Sequence, residues 1–167
     1  MWLRWMIVLV MVASAAAQES GGAQAFEKIR SLNGKWEGSF EWSGARTDKG
    51  KMDAEYYVTG GGSAIVENLL KEGTPMMTSV YHMDNGDLRL THYCAAQNQP
   101  RLKAKRAEVN AVDFGFVDAT NMKSLDAPHV SGLEWRMLDA DHITLTFLFD
   151  AGGKRSREFI QLKRVVK

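Results

Sequence analysis

The stretch GKWEGSFEW, Gly34 to Trp42, alternates Trp36, Gly38, Phe40 and Trp42 with Lys35, Glu37, Ser39 and Glu41. Apolar and polar groups exchanging every second residue mark a β-strand with one dry face and one wet one. Upstream, AQAFEKIRSL (23–32) is the one segment outside the extreme N-terminus with helical spacing, carrying Phe26, Ile29 and Leu32 along one side before a stop at Asn33-Gly34.

Downstream, short alternating runs recur between turn residues. Strands are expected near 51–59, 63–70, 76–83, 88–94, 101–109, 111–117, 133–138, 143–149 and 157–165, with 118–131 as a longer loop. Gly60-Gly61-Gly62, Asp84-Asn85-Gly86-Asp87, Asn110, Asp139-Ala140-Asp141 and Ala151-Gly152-Gly153 supply the hairpin chemistry. About ten antiparallel strands after one short helix point to an all-β, up-and-down barrel, because closure removes the edges that an open sheet exposes. A two-sheet sandwich is the competing architecture.

The Asn85-Gly86 turn sets a register. A two-residue loop there pairs Met83 with Leu88, Tyr81 with Leu90, Ser79 with His92 and Met77 with Cys94, and points all of these inward. Tyr93 then points out. Alternation adds Phe40, Trp42, Tyr56, Val66 and Phe114 to the inner face. It also adds Phe116, Trp135, Met137, Leu145 and Phe147. Aromatic and methionine side chains in this number suit an adaptable apolar cavity or a filled core equally well. In the cavity reading Tyr81 and His92 orient one polar group of a ligand, Ser79 lies beside them, and Arg101 stands at the mouth.

The ends and the composition restrict the partners. MWLRWMIVLVMVASAAAQ combines Arg4, a short apolar run and Ala15-Ala16-Ala17, the pattern of an export signal cleaved before Gln18. The expected organisation is a signal peptide over 1–17, a helix-bearing segment over 18–33 and a barrel over 34–167, in a secreted or periplasmic monomer not held in a membrane after cleavage. Loss of Arg4 takes the formal charge from +1 to 0. A neutral chain argues against nucleic acid, whose binding needs clustered Lys and Arg. Cys94, the single cysteine, allows no internal disulfide and reads as a small buried hydrophobe.

Catalytic and metal motifs are lacking. There is no GxSxG, no GxxxxGK[ST], no HExxH and no paired CxxC, and His82, His129 and His142 are scattered. No catalytic residue and no metal ligand set is assigned. An isomerase or cyclase on such a barrel would need a Glu or His poised in a cavity.

Gly34-Lys35-Trp36, after a short helix and at the start of many antiparallel strands, resembles the Gly-x-Trp opening of the lipocalin and fatty-acid-binding superfamily. GKWEGSF is similar to the opening of nitrobindin-like barrels and of secreted bacterial domains of unknown function, as is THYC followed by NQPR. The resemblance implies a calycin-like barrel that binds a hydrophobic or amphipathic small molecule, with Trp36 closing one end beneath a basic side chain, Arg164. Nitrobindin-like members hold haem through a late histidine. The last strand here has none, so a haem would need His92. The Arg and Tyr carboxylate clamp of fatty-acid-binding relatives is not carried over, since Arg157 and Phe159 stand there.

Overall fold

The computed structural model describes residues 21–166. The expected signal peptide lies outside them. After helix α1 (Gly21–Arg30) come β1 (Gly34–Gly44), β2 (Asp48–Lys51), β3 (Asp53–Thr59), β4 (Ala64–Lys71), β5 (Thr74–Asp84) and β6 (Asp87–Tyr93). They are followed by β7 (Gln99–Glu108), β8 (Ala111–Thr120), β9 (His129–Met137), β10 (His142–Ala151) and β11 (Lys154–Arg164). Each strand pairs antiparallel with its neighbour, and β11 returns to pair with β1. β2 and β3 both pair with β1 and are separated only by Met52, so they act as one broken strand and the closed ring has ten members.

The Asn85-Gly86 register holds: Ser79 faces His92, Tyr81 faces Leu90 and Met83 faces Leu88. Four expectations change. The helix begins two residues earlier and ends at Arg30, with Leu32 buried in the turn that follows. The expected strand 51–59 starts at Asp48 and breaks at Met52. β8 continues to Thr120 and β9 starts at His129, which shortens the long loop to residues 121–128. Val66 pairs with Tyr57 and Val80 and so lies on the outer face, while Glu67 turns inward.

One end of the barrel is sealed. α1 packs on β5, β6 and β7 and buries Ala25, Phe26 and Ile29. Gly21 comes so near the Ala107 carbonyl that a Cβ would lie 2.3 Å from its oxygen, which requires glycine there. The helix exit is tied down by Trp36, whose Nε1 donates to the Leu32 carbonyl at 2.8 Å. Arg164 lies over the Trp36 ring at 4.3 Å and donates to the carbonyls of Ser31, Asn33 and Ala140. Gly38 is the second required glycine, since a Cβ would lie 1.8 Å from the Gln161 carbonyl oxygen of β11. Its absence of a side chain lets the two strands close the ring.

The middle of the barrel is packed solid. Tyr81, Trp135, Leu145 and Ile160 are 0 % exposed, and Leu90 and Leu102 are 1 % exposed. A void large enough for water would leave exposed surface on its walls, and these walls have essentially none. Each such side chain stabilises the fold by roughly 1.5–3 kcal/mol through burial. At the other end, where the turns 44–47, 72–73, 94–98, 121–128 and 152–153 gather, inward-facing side chains border concave space; further hollows lie on the outer wall, around Arg101 and around Phe159.

Candidate functional site

Two polar arrangements face inward, one in the packed middle and one at the open end. The first follows from register. Tyr56 pairs with Glu67, Glu67 with Ser79 and Ser79 with His92, so four polar side chains form a row across β3, β4, β5 and β6. Tyr56 Oη donates to Glu67 Oε2 at 2.6 Å, and Tyr81 Oη donates to the same oxygen at 2.9 Å. Ser79 Oγ lies 3.0 Å from His92 Nδ1. Glu67 Oε1 and His92 Nε2 are buried without a partner.

Burial sets the electrostatics of this row. It raises the Glu67 carboxyl above its ordinary value against the pull of hydrogen bonds from Tyr56, Tyr81 and Ser79. Both phenols are pushed well above theirs, by burial first and then by the Glu67 charge. Burial also lowers His92 to about 4, so its imidazole is neutral at neutral pH. The His92 ring stacks 5.0 Å from that of Phe147.

Phe147 connects the row to the second arrangement. It forms part of a pocket of about 210 Å³ at the open end, with Trp42, Met77, Cys94, Val130, Phe149 and Glu158. Arg46 and Ala95 complete the rim, and a smaller hollow of about 90 Å³ adjoins it past Phe40, Met52 and Lys71. Six strands and two turns supply these residues, so the pocket exists only in the closed barrel. Trp42 and Phe147 flank Glu158 on the neighbouring strands β1 and β10. Trp42 also meets Phe149 edge-on at 5.7 Å.

Glu158 is the polar group of the pocket. Its side chain is buried, the residue being 3 % exposed, and among the described residues no ion pair reaches it. Burial raises its carboxyl to about 7, opposed by the Arg46 charge and a hydrogen bond from Trp42. Arg46 lies over the Trp42 ring at 4.2 Å, pairs with Asp48 at 3.7 Å, and is anchored by its backbone N–H donating to Ser156 Oγ at 3.0 Å. Cys94 is half-buried; burial pushes its thiol up, and its Sγ accepts from the Ala96 N–H at 3.4 Å.

The residues expected to bind a ligand therefore divide. Trp42, Met77 and Phe147 meet in the pocket, and Phe40 borders the adjoining hollow. Tyr56, Ser79, Tyr81, Leu90, His92 and Trp135 lie in the packed middle and reach no open surface. Phe116 packs against His129 at 5.0 Å, away from the pocket. Arg101, expected at the mouth, is on the outer face, where it forms a two-pronged ion pair with Asp118. Sequence reasoning missed Arg46, Phe149 and above all Glu158. The available signal was Ser156, Glu158, Ile160 and Leu162 in one alternating register of β11, a carboxylate in line with two core residues.

A haem does not fit these residues. His92 is enclosed on every side, and the pocket is below the roughly 300–1,000 Å³ of sites that take drug-sized ligands. Among the described residues no group of three or more His, Cys, Asp or Glu is placed to hold a metal ion.

No protein-family model matches the chain, and no curated protein matches it. Solved structures do. Rv2717c from M. tuberculosis is 14 % identical with a TM-score of 0.57, over 85 % of this chain and 98 % of that one. A protein of unknown function of the DUF3598 family from Nostoc punctiforme is 12 % identical with a TM-score of 0.57, over 82 % of this chain and 49 % of that one. At these identities the likeness carries the ten-stranded antiparallel barrel and nothing about chemistry.

Proposed function

We propose that the protein is an exported, calycin-like binding barrel that holds a small amphipathic molecule in the pocket at its open end. The observation that carries this reading is the composition of that pocket: Trp42, Met77, Phe147 and Phe149 around one buried carboxylate, Glu158, that no protein cation pairs. Sites for small molecules combine apolar walls with a few placed polar groups in this way. Size limits the occupant. An apolar cavity of about 150 Å³ takes benzene, so a pocket of about 210 Å³ suits one ring or a short chain.

Binding of 4-(dimethylamino)benzonitrile, a neutral one-ring dye that brightens in apolar surroundings and matches the size of the pocket, tests the reading. Saturable brightening is expected with the full chain and should fall at least about tenfold in affinity with Trp42→Ala. No saturable binding, or binding unchanged by Trp42→Ala, would remove the pocket as the site.

One observation favours a second reading. A carboxyl raised to about 7 inside a pocket is also suited to take a proton from a substrate carbon and return it to another, as an isomerase does. Turnover by the wild type that disappears in Glu158→Gln would establish that reading over simple binding.

A further inference from the structure

The chemical class of the ligand follows from which charges at the mouth are already satisfied. Four ionisable side chains besides Cys94 line the pocket and its adjoining hollow: Arg46 from the β1–β2 turn, Asp48 from the start of β2, Lys71 from β4 and Glu158 from β11. Arg46 and Asp48 pair with each other, and the Arg46 guanidinium is spread on the Trp42 ring. Lys71 Nζ sits over the Phe40 ring at 5.8 Å and makes no ion pair with Glu158. Glu158 alone is buried without a cation.

We infer that the occupant carries a protonated amine on an apolar body, with the ammonium against Glu158 and the body between Trp42, Phe147 and Phe149. This inference rests on the binding reading above and adds the charge of the ligand. A buried carboxylate without a counter-ion is costly, and an entering ammonium offsets that cost while exchanging its own water for a charge-assisted hydrogen bond. Aromatic faces on neighbouring strands attract the same cation. A carboxylate ligand would instead meet Glu158 as a like charge. Arg46 pulls on Glu158 without forming an ion pair with it: its guanidinium lies over the Trp42 ring and its ion pair is with Asp48.

The test compares three ligands that share a phenyl ring and a two-carbon arm: phenethylamine, phenethyl alcohol and 3-phenylpropionate. Calorimetric titration of the full chain at about pH 8 should give tightest binding for the amine, at least about tenfold over the alcohol. The carboxylate should bind more weakly than the alcohol. Glu158→Gln, nearly isosteric and checked for fold by circular dichroism, should bring amine and alcohol to equal affinity. Arg46→Gln should keep the amine preference. At about pH 5, with Glu158 protonated, the wild-type preference should shrink several-fold.

Alcohol binding that is as tight as amine binding would overturn the amine assignment while leaving the pocket as a binding site. So would an amine preference that survives Glu158→Gln. If none of the three binds and the dye does not bind either, the binding reading fails with it.

Discussion

Strand β1 carries a tryptophan at each end of the barrel, and each lies under an arginine. At the sealed end Arg164 covers Trp36 at 4.3 Å; at the open end Arg46 covers Trp42 at 4.2 Å. The two caps look alike and differ in how they are held. Arg164 donates to three backbone carbonyls, from the helix exit and the β9–β10 turn, and Trp36 itself bonds the Leu32 carbonyl. Arg46 is held by one carboxylate at 3.7 Å and one backbone contact, and beneath it lies a buried acid without a counter-ion. A cap whose hydrogen bonds are all made closes a structure. A cap over a buried acid that no cation pairs leaves a place for something else.

The largest effect that breaks the comparison is on stability. Trp36→Ala should cost about 3–5 kcal/mol in chemical denaturation, as large-to-small changes in sealed cores do. Trp42→Ala should cost about 1–2 kcal/mol and act mainly on binding, since one face of Trp42 is already at a pocket. Equal losses at both positions would mean that the two ends are equally structural.

Two inward glutamates extend the contrast. Glu67→Leu strands the buried hydroxyls of Tyr56 and Tyr81 and should cost about 3 kcal/mol, each unpartnered group contributing roughly 1–3. Glu67→Gln keeps an acceptor and should cost about half as much. A neutral outcome for Glu67→Leu would show that those hydrogen bonds contribute little.

Glu158 predicts the opposite sign. Its folded value, about 7, lies above its ordinary 4.5, so the native state holds the proton more tightly. Its contribution is fully present below 4.5 and is lost as pH rises through 7, up to about 3 kcal/mol in total. His92 runs the other way. Its value falls from 6.5 to about 4, so its contribution is present above 6.5 and is lost as pH falls through 4. Unfolding curves of Glu158→Gln should therefore show stability gained relative to wild type as pH rises from 4.5 to 7. A difference that does not change with pH would place Glu158 in water.

The smallest expected effect is kinetic. A half-buried thiol with a raised pKa reacts slowly with maleimide, and phenethylamine in the pocket should slow Cys94 several-fold further. Unchanged labelling would put the ligand away from Cys94.

How much of this was legible varies along the chain. Trp36, Gly38, Phe40 and Trp42 announce their face because each is two residues from the next and Glu37, Ser39 and Glu41 stand between them. The Asn85-Gly86 turn fixes its hairpin because a two-residue loop admits few registers. His92 could thus be placed inside, but its burial beneath Phe147 could not, since that contact comes from β10 across the barrel. Glu67 was hidden by its surroundings: in AIVENLLK apolar residues fall on both faces, and hydrophobicity favours Val66 inward. Glu158 was hidden likewise, beside a Phe159 that in fact points outward at 38 % exposure. Which end the helix seals depends on its docking against β5, β6 and β7, which no local pattern encodes.

The most direct test is a proton–nitrogen NMR titration with phenethylamine that follows the tryptophan indole N–H signals. The account predicts a large, saturable shift of Trp42, which faces Glu158 across the β1–β11 pairing and lines the pocket, with Trp36 and Trp135 nearly unmoved. A shift centred on Trp135, whose buried Nε1 has no partner in the middle of the barrel, with Trp42 unmoved, would contradict it and place the site in the core.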